Sequence, residues 1–318
     1  MTKPILVGHD PRRVDDGPLH FGVMLARITG APLILVSVEA RTPVLPISEG
    51  QSLTYAIVDD DLMTDCAPAV EALESELRAA GIAVDCRRLQ GVSAARALHE
   101  AAEEEDAGLL VVGSSHRSVP GRVLAGSTAE RLLHGAPCPI AVAPRAWTPE
   151  RPLATIGVAY AHGEEGRQAL HGAHALALRL GATLRVIAVV KVTLRMFGET
   201  EPSVAGQRGK RREDVEGEHK ARAERELRQL VAELDGDVPI DVDVFVGDPA
   251  DVLVELSERL DLLVCGSRGY GPLRAVLLGS VSRRVVAEAH CPVIVLPRGV
   301  RASLEALVTE APGAAAPA

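Results

Sequence analysis

Short, uninterrupted apolar runs alternate with longer segments of helical periodicity along most of this chain. The runs are rich in Val, Ile and Leu, which is typical of parallel strands buried on both faces, and the alternation is typical of helical crossovers between such strands. Strands are predicted at residues 4–9, 32–39, 83–89, 108–113 and 139–143, and again at 155–160, 183–190, 240–246, 262–266 and 292–296. Helices are predicted at 19–29, 67–80, 94–105, 167–180, 212–234 and 249–259.

The second half of the chain repeats the first. A strand ending in Gly113 is followed by a Gly-Ser pair at Gly126, and a strand ending in Gly266 is followed by the same pair at Gly279, with the same spacing of 13 residues. Internal similarity of this kind indicates a tandem duplication. The predicted fold class is therefore α/β, with two tandem copies of an open five-stranded parallel sheet with flanking helices, of the Rossmann-like kind.

Two domains of similar size are predicted, with less regular segments inside and after them. The segment Trp147–Pro152 contains two prolines and is the predicted linker. Segments without clear periodicity follow the second strand of each copy and are predicted to be irregular surface excursions. The Ala- and Pro-rich end is predicted to be a flexible tail that begins as a short helix. The boundaries are residues 1–147 and 152–299 for the domains, 40–65 and 191–210 for the excursions, and 302–318 for the tail.

Charge and composition exclude several classes of partner. The net charge is −9 and aromatic residues make up 2% of the chain, whereas a nucleic-acid-binding protein needs a basic face and usually aromatic side chains that stack on bases. The most apolar window, Ala175–Val190, is interrupted by charged residues and a glycine, so it cannot span a bilayer. The five cysteines show neither a CxxC pair nor metal-ligand spacing, which favours a reducing compartment. We therefore expect a cytoplasmic protein that binds neither nucleic acid nor membranes.

A glycine-rich loop in the second half has the chemistry of an anion site. Gly266 and Gly269 follow the fourth strand, and Gly279 and Ser280 open the next helix. Glycines let main-chain amides approach an anion, and a helix N-terminus adds unpaired amides and a partial positive charge. Arg268 can place a guanidinium over the same anion, and Ser280 can cap the helix or offer its hydroxyl. The alternative is that the glycines only shape tight turns between strand and helix.

The full spacing of this loop, G-x2-G-x9-G-S, resembles the nucleotide-binding signature of ATP-binding members of the universal stress protein family. The resemblance extends over both halves nearly end to end. It implies a stress-response regulatory protein that binds adenine nucleotide, here ATP with or without Mg²⁺, chiefly in the second domain. It also implies that a carboxylate after the first strand contacts the adenosine part, and that main-chain groups at the end of the second strand address adenine.

The two copies depart differently from this signature at the phosphate end. The second copy keeps all of it, whereas the first copy keeps Gly113, Gly126 and Ser127 but has His116 where the second glycine is expected. A histidine at that position either blocks the anion or donates to it. We therefore predict that the phosphate site of the first copy binds an anion more weakly than that of the second copy.

At the adenosine end the departure is reversed. Asp10 matches the family's carboxylate in the first copy, whereas Ala161 stands there in the second. Val38 and Val189 end the second strand of each copy and correspond to the positions from which the family addresses adenine. Both valines can equally be ordinary buried strand residues.

The sequence assigns no enzymatic reaction. Lysines occur only at Lys3, Lys191, Lys210 and Lys220, outside the glycine loops, so this is not a P-loop NTPase. No carboxylate pair or His–carboxylate arrangement can be assigned to water activation. We predict a nucleotide-binding protein that is not an enzyme. The alternatives are a slow ATP hydrolase and a ligand-free tandem scaffold with vestigial nucleotide sites.

The last apolar strand of each copy would expose an unpaired edge if the two copies stayed apart. Family members dimerise through this strand, so the resemblance implies that residues 139–143 and 292–296 pair antiparallel and join the two sheets into one. The short linker accommodates this pairing if the first strand of the second copy lies next to the pairing edge. Further association into a homodimer is compatible with the sequence.

Overall fold

A computed structural model of the chain describes residues 2–10, 12, 15–40, 67–115, 117–149, 152–191, 212–267, 278–297 and 304–307. The first half contains β1 (Ile5–Gly8), α1 (Gly17–Thr29), β2 (Leu33–Ala40), α2 (Ala67–Ala79), β3 (Val84–Gly91), α3 (Ala94–Glu104), β4 (Leu109–Gly113), α4 (Ser127–Leu133) and β5 (Ile140–Ala143). The second half contains β6 (Thr155–Ala159), α5 (Glu164–Leu180), β7 (Thr183–Val190), α6 (Arg212–Val231), β8 (Ile240–Val246), α7 (Pro249–Leu256), β9 (Leu262–Gly266), α8 (Ser280–Glu288) and β10 (Val293–Leu296). Nearly all of the two predicted surface excursions, residues 41–65 and 192–210, lies outside the described residues.

The ten strands form one sheet in the order β3-β2-β1-β4-β5-β10-β9-β6-β7-β8. Neighbouring strands within each half are parallel. At the centre β5 and β10 pair antiparallel, with Ala141 opposite Ile294. The predicted fold class and the predicted pairing of the last strands are therefore confirmed. Because these two strands pair with each other within the chain, a homodimer would have to use another surface.

The prediction about the linker is wrong. It required the first strand of the second half to lie next to the pairing strand, but β9 lies between β10 and β6. The chain that leaves β5 therefore enters the second half of the sheet at β6, three strands away from β5. Each half has the internal order 3-2-1-4-5, so its fourth strand necessarily separates the first from the last.

The core consists of two apolar layers, one on each face of the sheet. Alternate residues of each strand point to opposite faces, so Ala141 and Ile294 lie in one layer while Ile140 and Val293 lie in the other. All four are fully buried. Both layers contain residues of both halves, so the hydrophobic core continues across the β5–β10 junction. Among the described helices, none is long and apolar enough to cross a membrane.

Three helix starts differ in how they are capped. The Asp248 carboxylate accepts a hydrogen bond from the Ala250 amide at 3.0 Å and caps α7. Ser93 stands at the N-cap of α3, but its hydroxyl accepts from Arg131 Nη1 at 3.5 Å and does not cap the helix. Ser280 is the first residue of α8 and Gly279 is its N-cap, so the predicted capping role of Ser280 is wrong.

A short segment beyond the second domain packs against both halves. Leu304–Leu307 forms a 3-10 turn in which both leucines are buried. A Cβ atom on Gly172 of α5 would lie 2.8 Å from Leu304 Cβ, and one on Gly108, just before β4, would lie 2.6 Å from Leu307 Cδ2. These four residues form the short helical turn that was predicted at the start of the tail. They pack against the core, however, and do not belong to a flexible segment. Residues 308–318 lie outside the described part of the chain.

Candidate functional site

A cleft opens at the carboxyl edge of the second half of the sheet. The strand order reverses there, since β6 continues to β7 on one side and borders β9 on the other, and ligands of open parallel sheets bind at such a point. Its cavity volume is about 980 Å³, which is in the range of small-molecule sites. The described residues that line it come from the ends of β6, β7 and β9, from the starts of α5, α7 and α8, and from one face of α6.

The first turn of α8 forms one wall of this cleft. Gly279, Ser280, Val281 and Ser282 all line it. Amides in the first turn of a helix have no partner within the helix. Within the part of the chain that the structure describes, no side chain caps α8, in contrast to α7 with its Asp248 cap. The uncapped amides of α8 therefore give this wall the properties of an anion site.

The glycine at the N-cap of α8 is not required by its backbone conformation. Gly279 has φ −65° and ψ 155°, an extended conformation that residues of any type adopt. Side chains that accept hydrogen bonds, such as Ser or Asp, are the usual N-cap residues. A glycine here leaves the amides bare and keeps the wall free of a side chain. The conformation thus favours the anion-site interpretation over that of a strained turn.

Hydrogen bonds fix the two described ends of the glycine loop. The Ser282 hydroxyl donates to the Gly266 carbonyl at 2.7 Å, and the Gly279 amide donates to the Ser267 carbonyl at 2.6 Å. A Cβ atom on Gly266 would lie 3.3 Å from Glu165 Cβ. Gly266 therefore also serves the close packing of β9 against α5, as the alternative interpretation of the glycines predicts. Arg268 and Gly269 lie outside the described residues.

The opposite wall is apolar. Val189, opposite Phe245 in the sheet, lines the cleft at the end of β7 together with Ala188 and Val190. Leu227 of α6 and Leu253 of α7 also line the cleft, from opposite faces of the sheet, and both are buried. An apolar wall opposite a set of bare amides fits a ligand with a flat apolar ring at one end and an anion at the other.

Charged side chains of α6 and β7 also line the cleft, and sequence reasoning missed them. Arg222 Nε donates to Glu226 Oε1 at 2.8 Å, and Glu226 Oε2 lies 3.7 Å from His162 Nε2. Lys191 Nζ lies 3.0 Å from Asp248 Oδ2. The hydrogen bond from Arg222 lowers the pKa of Glu226, and that from Lys191 lowers the pKa of Asp248. Both carboxyl groups are therefore ionised at neutral pH.

The corresponding edge of the first half has a different arrangement. Asp10 forms an ion pair with Arg12, whose Nε lies 2.9 Å from Asp10 Oδ1. A Cβ atom on Gly113 would lie 3.2 Å from Pro18 Cγ, so this glycine packs against α1 as Gly266 packs against α5. Val38 pairs with Leu89 of the neighbouring strand and packs against the core.

The chain after β4 folds back on itself and then contacts the second half. The Ser115 amide donates to the Leu124 carbonyl at 2.6 Å. Val123 and Ala125 donate from their amides to carbonyls at the end of α8, at 2.8 and 2.9 Å. Gly126 is the N-cap of α4, with φ −80° and ψ 172°, and Ser127 is its first residue, so the Gly-Ser pair has the same place in both halves. His116 lies outside the described residues.

A second depression, of about 840 Å³, lies at the opposite, amino edge of the second half. Two of its arginines are paired with carboxylates: Arg185 Nη2 lies 2.5 Å from Asp243 Oδ2, and Arg228 Nη2 lies 2.6 Å from Glu224 Oε1. It is far from the glycine loop, because β7 runs away from it to the carboxyl edge. We therefore assign the site to the carboxyl edge. Among the described residues, no group of three or more His, Cys, Asp or Glu side chains could hold a metal ion.

The sequence pattern of one protein family, the universal stress protein family, matches this chain twice, at residues 1–144 and 153–297. The two matches together cover most of the chain and separate at the predicted linker. The chain belongs to the universal stress protein family.

Relatives support this assignment over the full length. Universal stress protein Rv2319c of Mycobacterium tuberculosis is 30% identical over 305 residues, which cover 92% of this chain and 99% of that protein. A universal stress protein of Thermus aquaticus is 33% identical over 144 residues, which are 45% of this chain but 97% of the relative. A solved universal stress protein of Archaeoglobus fulgidus shares the fold, with a TM-score of 0.68 and 19% identity over 94% of this chain and 100% of that one. One half of this tandem universal stress protein thus corresponds to a whole protein in Thermus.

In this universal stress protein, the structure brings part of the predicted site together. Gly266, Gly279, Ser280 and Val189 all line the second-half cleft. Glu226 was not predicted, because α6 follows a segment without periodicity and nothing in the sequence indicates which of its faces turns to the sheet. Lys191 was not predicted, because it opens that same segment after β7.

Proposed function

We propose that this tandem universal stress protein binds adenine nucleotide, ATP, in the cleft of the second half and acts as a regulatory protein rather than an enzyme. The observation that carries the proposal is the first turn of α8, which lines the cleft with Gly279 at its N-cap and which no side chain of the described residues caps. The first-turn amides of α8 at Ser280, Val281 and Ser282 suit a triphosphate, since the partial positive charge of the helix end favours an anion.

The proposed orientation follows from the two walls. The phosphates lie against α8, and the adenine ring lies against the apolar wall at Val189, where main-chain groups at the end of β7 can pair with its edge. In this proposal any Mg²⁺ ion is bound through the triphosphate of ATP. Arg268 and Gly269, which follow Gly266 in the chain, complete the phosphate loop in this proposal.

Hydrolysis is not part of the proposal. The loop from residue 268 to residue 277 contains no lysine. Lys191, which follows β7 and lines the cleft, is paired with Asp248. The described cysteines are free, and burial raises the pKa of Cys138 and Cys265 to about 12, so these two thiols are unreactive.

A second candidate function is a ligand-free scaffold. The contact of Gly266 with Glu165 favours it, because it gives that glycine a purely structural use. Ala161 favours it too, because the family's adenosine-contacting carboxylate is missing there.

One experiment separates these functions. Purified protein is denatured by heat, and the supernatant is analysed by mass spectrometry for released adenine nucleotide. Emptied, refolded protein is then incubated with ATP and Mg²⁺, and ADP is measured. We expect bound nucleotide without turnover. Steady formation of ADP would show an enzyme, and protein that neither carries nor rebinds ATP would show the scaffold.

A further inference from the structure

The second half lacks a carboxylate after its first strand, yet the structure places one at the same point of the fold. Glu226 reaches this point from α6, and its Oε2 lies 3.7 Å from Nε2 of His162, the residue that follows Ala161. Among the described residues that line the cleft, Glu226 is the only one with a carboxylate side chain.

In both halves an arginine pairs with this carboxylate, but the geometry differs. In the first half Arg12 engages both oxygens of Asp10, with Nε 2.9 Å from Oδ1 and Nη2 3.4 Å from Oδ2. In the second half Arg222 Nε lies 2.8 Å from Glu226 Oε1, and the other oxygen lies beside His162, which also lines the cleft. The first half obtains its carboxylate from the chain next to β1, whereas the second half obtains it from a distant helix.

The charge of Glu226 limits what can lie against it. An ionised carboxylate accepts hydrogen bonds and repels phosphate. The phosphates are accommodated by the amides of α8, so the part of a nucleotide that meets Glu226 must carry neutral donors. The vicinal hydroxyls of ribose are such donors, and they lie between the base and the phosphates.

We propose that Glu226, positioned by Arg222, accepts hydrogen bonds from the ribose hydroxyls of the bound nucleotide and makes the second site selective for ribonucleotides. This inference rests on the proposed function of the same cleft. It assigns to α6 a specificity-determining residue that takes the place of the carboxylate missing at Ala161.

The test compares Glu226→Gln with Glu224→Gln as the matched control. Glu224 lies on the same helix and forms the same kind of pair, with Arg228 at 2.6 Å, but it does not line the cleft. Affinities for ATP and for 2′,3′-dideoxy-ATP are measured by calorimetry in full-length protein that also carries Gly126→Val, so that only the second half can bind.

We expect Glu226→Gln to weaken ATP binding about tenfold and to leave dideoxy-ATP binding nearly unchanged, because only ATP loses a charged hydrogen-bond partner. Glu224→Gln should leave both affinities as they are. If the protein with Glu226 intact binds ATP, and Glu226→Gln shows the same preference for ATP over dideoxy-ATP, the role of Glu226 is refuted and nucleotide binding stands. If the protein with Glu226 intact binds neither nucleotide, the proposed function itself fails.

Discussion

The carboxyl edges of the two halves carry the same Gly-Ser spacing but differ in what surrounds it. In the second half Gly279 and Ser280 line a cleft of about 980 Å³ beneath α6. In the first half the chain after Gly113 folds back on itself, with a hydrogen bond from the Ser115 amide to the Leu124 carbonyl. It also forms main-chain hydrogen bonds with the end of α8 in the other half. The shared spacing therefore determines where the helix begins, while the neighbouring elements determine what the helix end faces.

Among these predictions, the largest effect is expected from a substitution at the start of α5 in the second half. A Cβ atom on Gly166 would overlap the carbonyl oxygen of Ala161, a main-chain atom that cannot rotate away. Gly166 also lines the cleft. We expect Gly166→Ala to lower the free energy of unfolding by about 3 kcal/mol, at the upper end of overpacking effects, and to distort the cleft. Urea denaturation at neutral pH measures this change.

Gly217 provides the control for that substitution. It lies in the interior of α6, is exposed, and a Cβ atom there would meet nothing within 4 Å. Gly217→Ala should therefore stabilise the protein by about 0.5–1 kcal/mol through the better helix propensity of alanine. Equal effects of the two substitutions would contradict the close approach of α5 to Ala161.

A smaller effect is expected at Ser282, which distinguishes the two glycine loops. Its hydroxyl donates to the Gly266 carbonyl at 2.7 Å, whereas the first half has the buried Ala129 at the equivalent position of α4. Ser282→Ala makes the second half like the first. We expect a loss of about 1 kcal/mol in unfolding free energy and a few-fold weaker ATP binding, since the end of β9 is no longer held against α8.

A loss of stability in that variant together with unchanged ATP affinity would show that the position of Gly266 does not matter for binding. The reverse substitution, Ala129→Ser, supplies the control. It introduces the hydroxyl into the half where we propose no strong site, so ATP affinity should remain as in the unsubstituted protein.

The smallest effect concerns the residues that follow the first strands. His9 is buried, its Nδ1 has no hydrogen-bond partner among the described residues, and burial lowers its pKa below 6.5 although Asp16, Asp10 and Asp15 oppose this. The equivalent residue of the second half is Tyr160. The unfolded chain binds a proton at His9 below about pH 6.5 before the folded protein does, so stability falls as the pH decreases through that range.

His9→Gln should therefore reduce the loss of stability between pH 7.5 and pH 5.5, by less than the roughly 1.4 kcal/mol per pH unit that a full proton allows. Urea midpoints at the two pH values measure it, and Tyr160→Phe should leave the pH dependence unchanged. Burial also lowers the pKa of His174, so part of the pH dependence of stability should persist in His9→Gln. An identical pH dependence in His9→Gln would show that His9 is not protonated on unfolding in this range.

Much of the fold could be predicted from the sequence because the strands are continuous apolar runs and the repeat sets their register. The antiparallel pairing of the two last strands, which places Ala141 opposite Ile294, was expected from their apolar edges together with the resemblance to the universal stress protein family. The position of β9 between β10 and β6 was missed, because the linker was considered without the strand order of each half. The burial of Leu304 and Leu307 was missed as well, since two leucines in an Ala- and Pro-rich segment give no periodic pattern.

The site could be predicted only where its residues lie at strand ends or helix starts. Val189 and Gly266 lie at the ends of strands and Gly279 precedes a helix, and the ends of parallel strands meet at one edge. Glu226 belongs to a helix of highly polar sequence, in which many charged residues could equally face solvent. Its role becomes visible only when the fold places it next to His162.

The central claim, that the second-half cleft binds ATP at the uncapped end of α8, is tested most directly by ATP isotherms of the unsubstituted protein, Gly279→Val and Gly126→Val. Both glycines are helix N-caps in extended conformations, so each substitution should cost a similar stability, about 1 kcal/mol. We predict one ATP per chain for the unsubstituted protein and for Gly126→Val, with equal affinities, and at least about 100-fold weaker binding for Gly279→Val, since its side chain enters the phosphate wall. Unchanged ATP affinity in folded Gly279→Val would contradict the account.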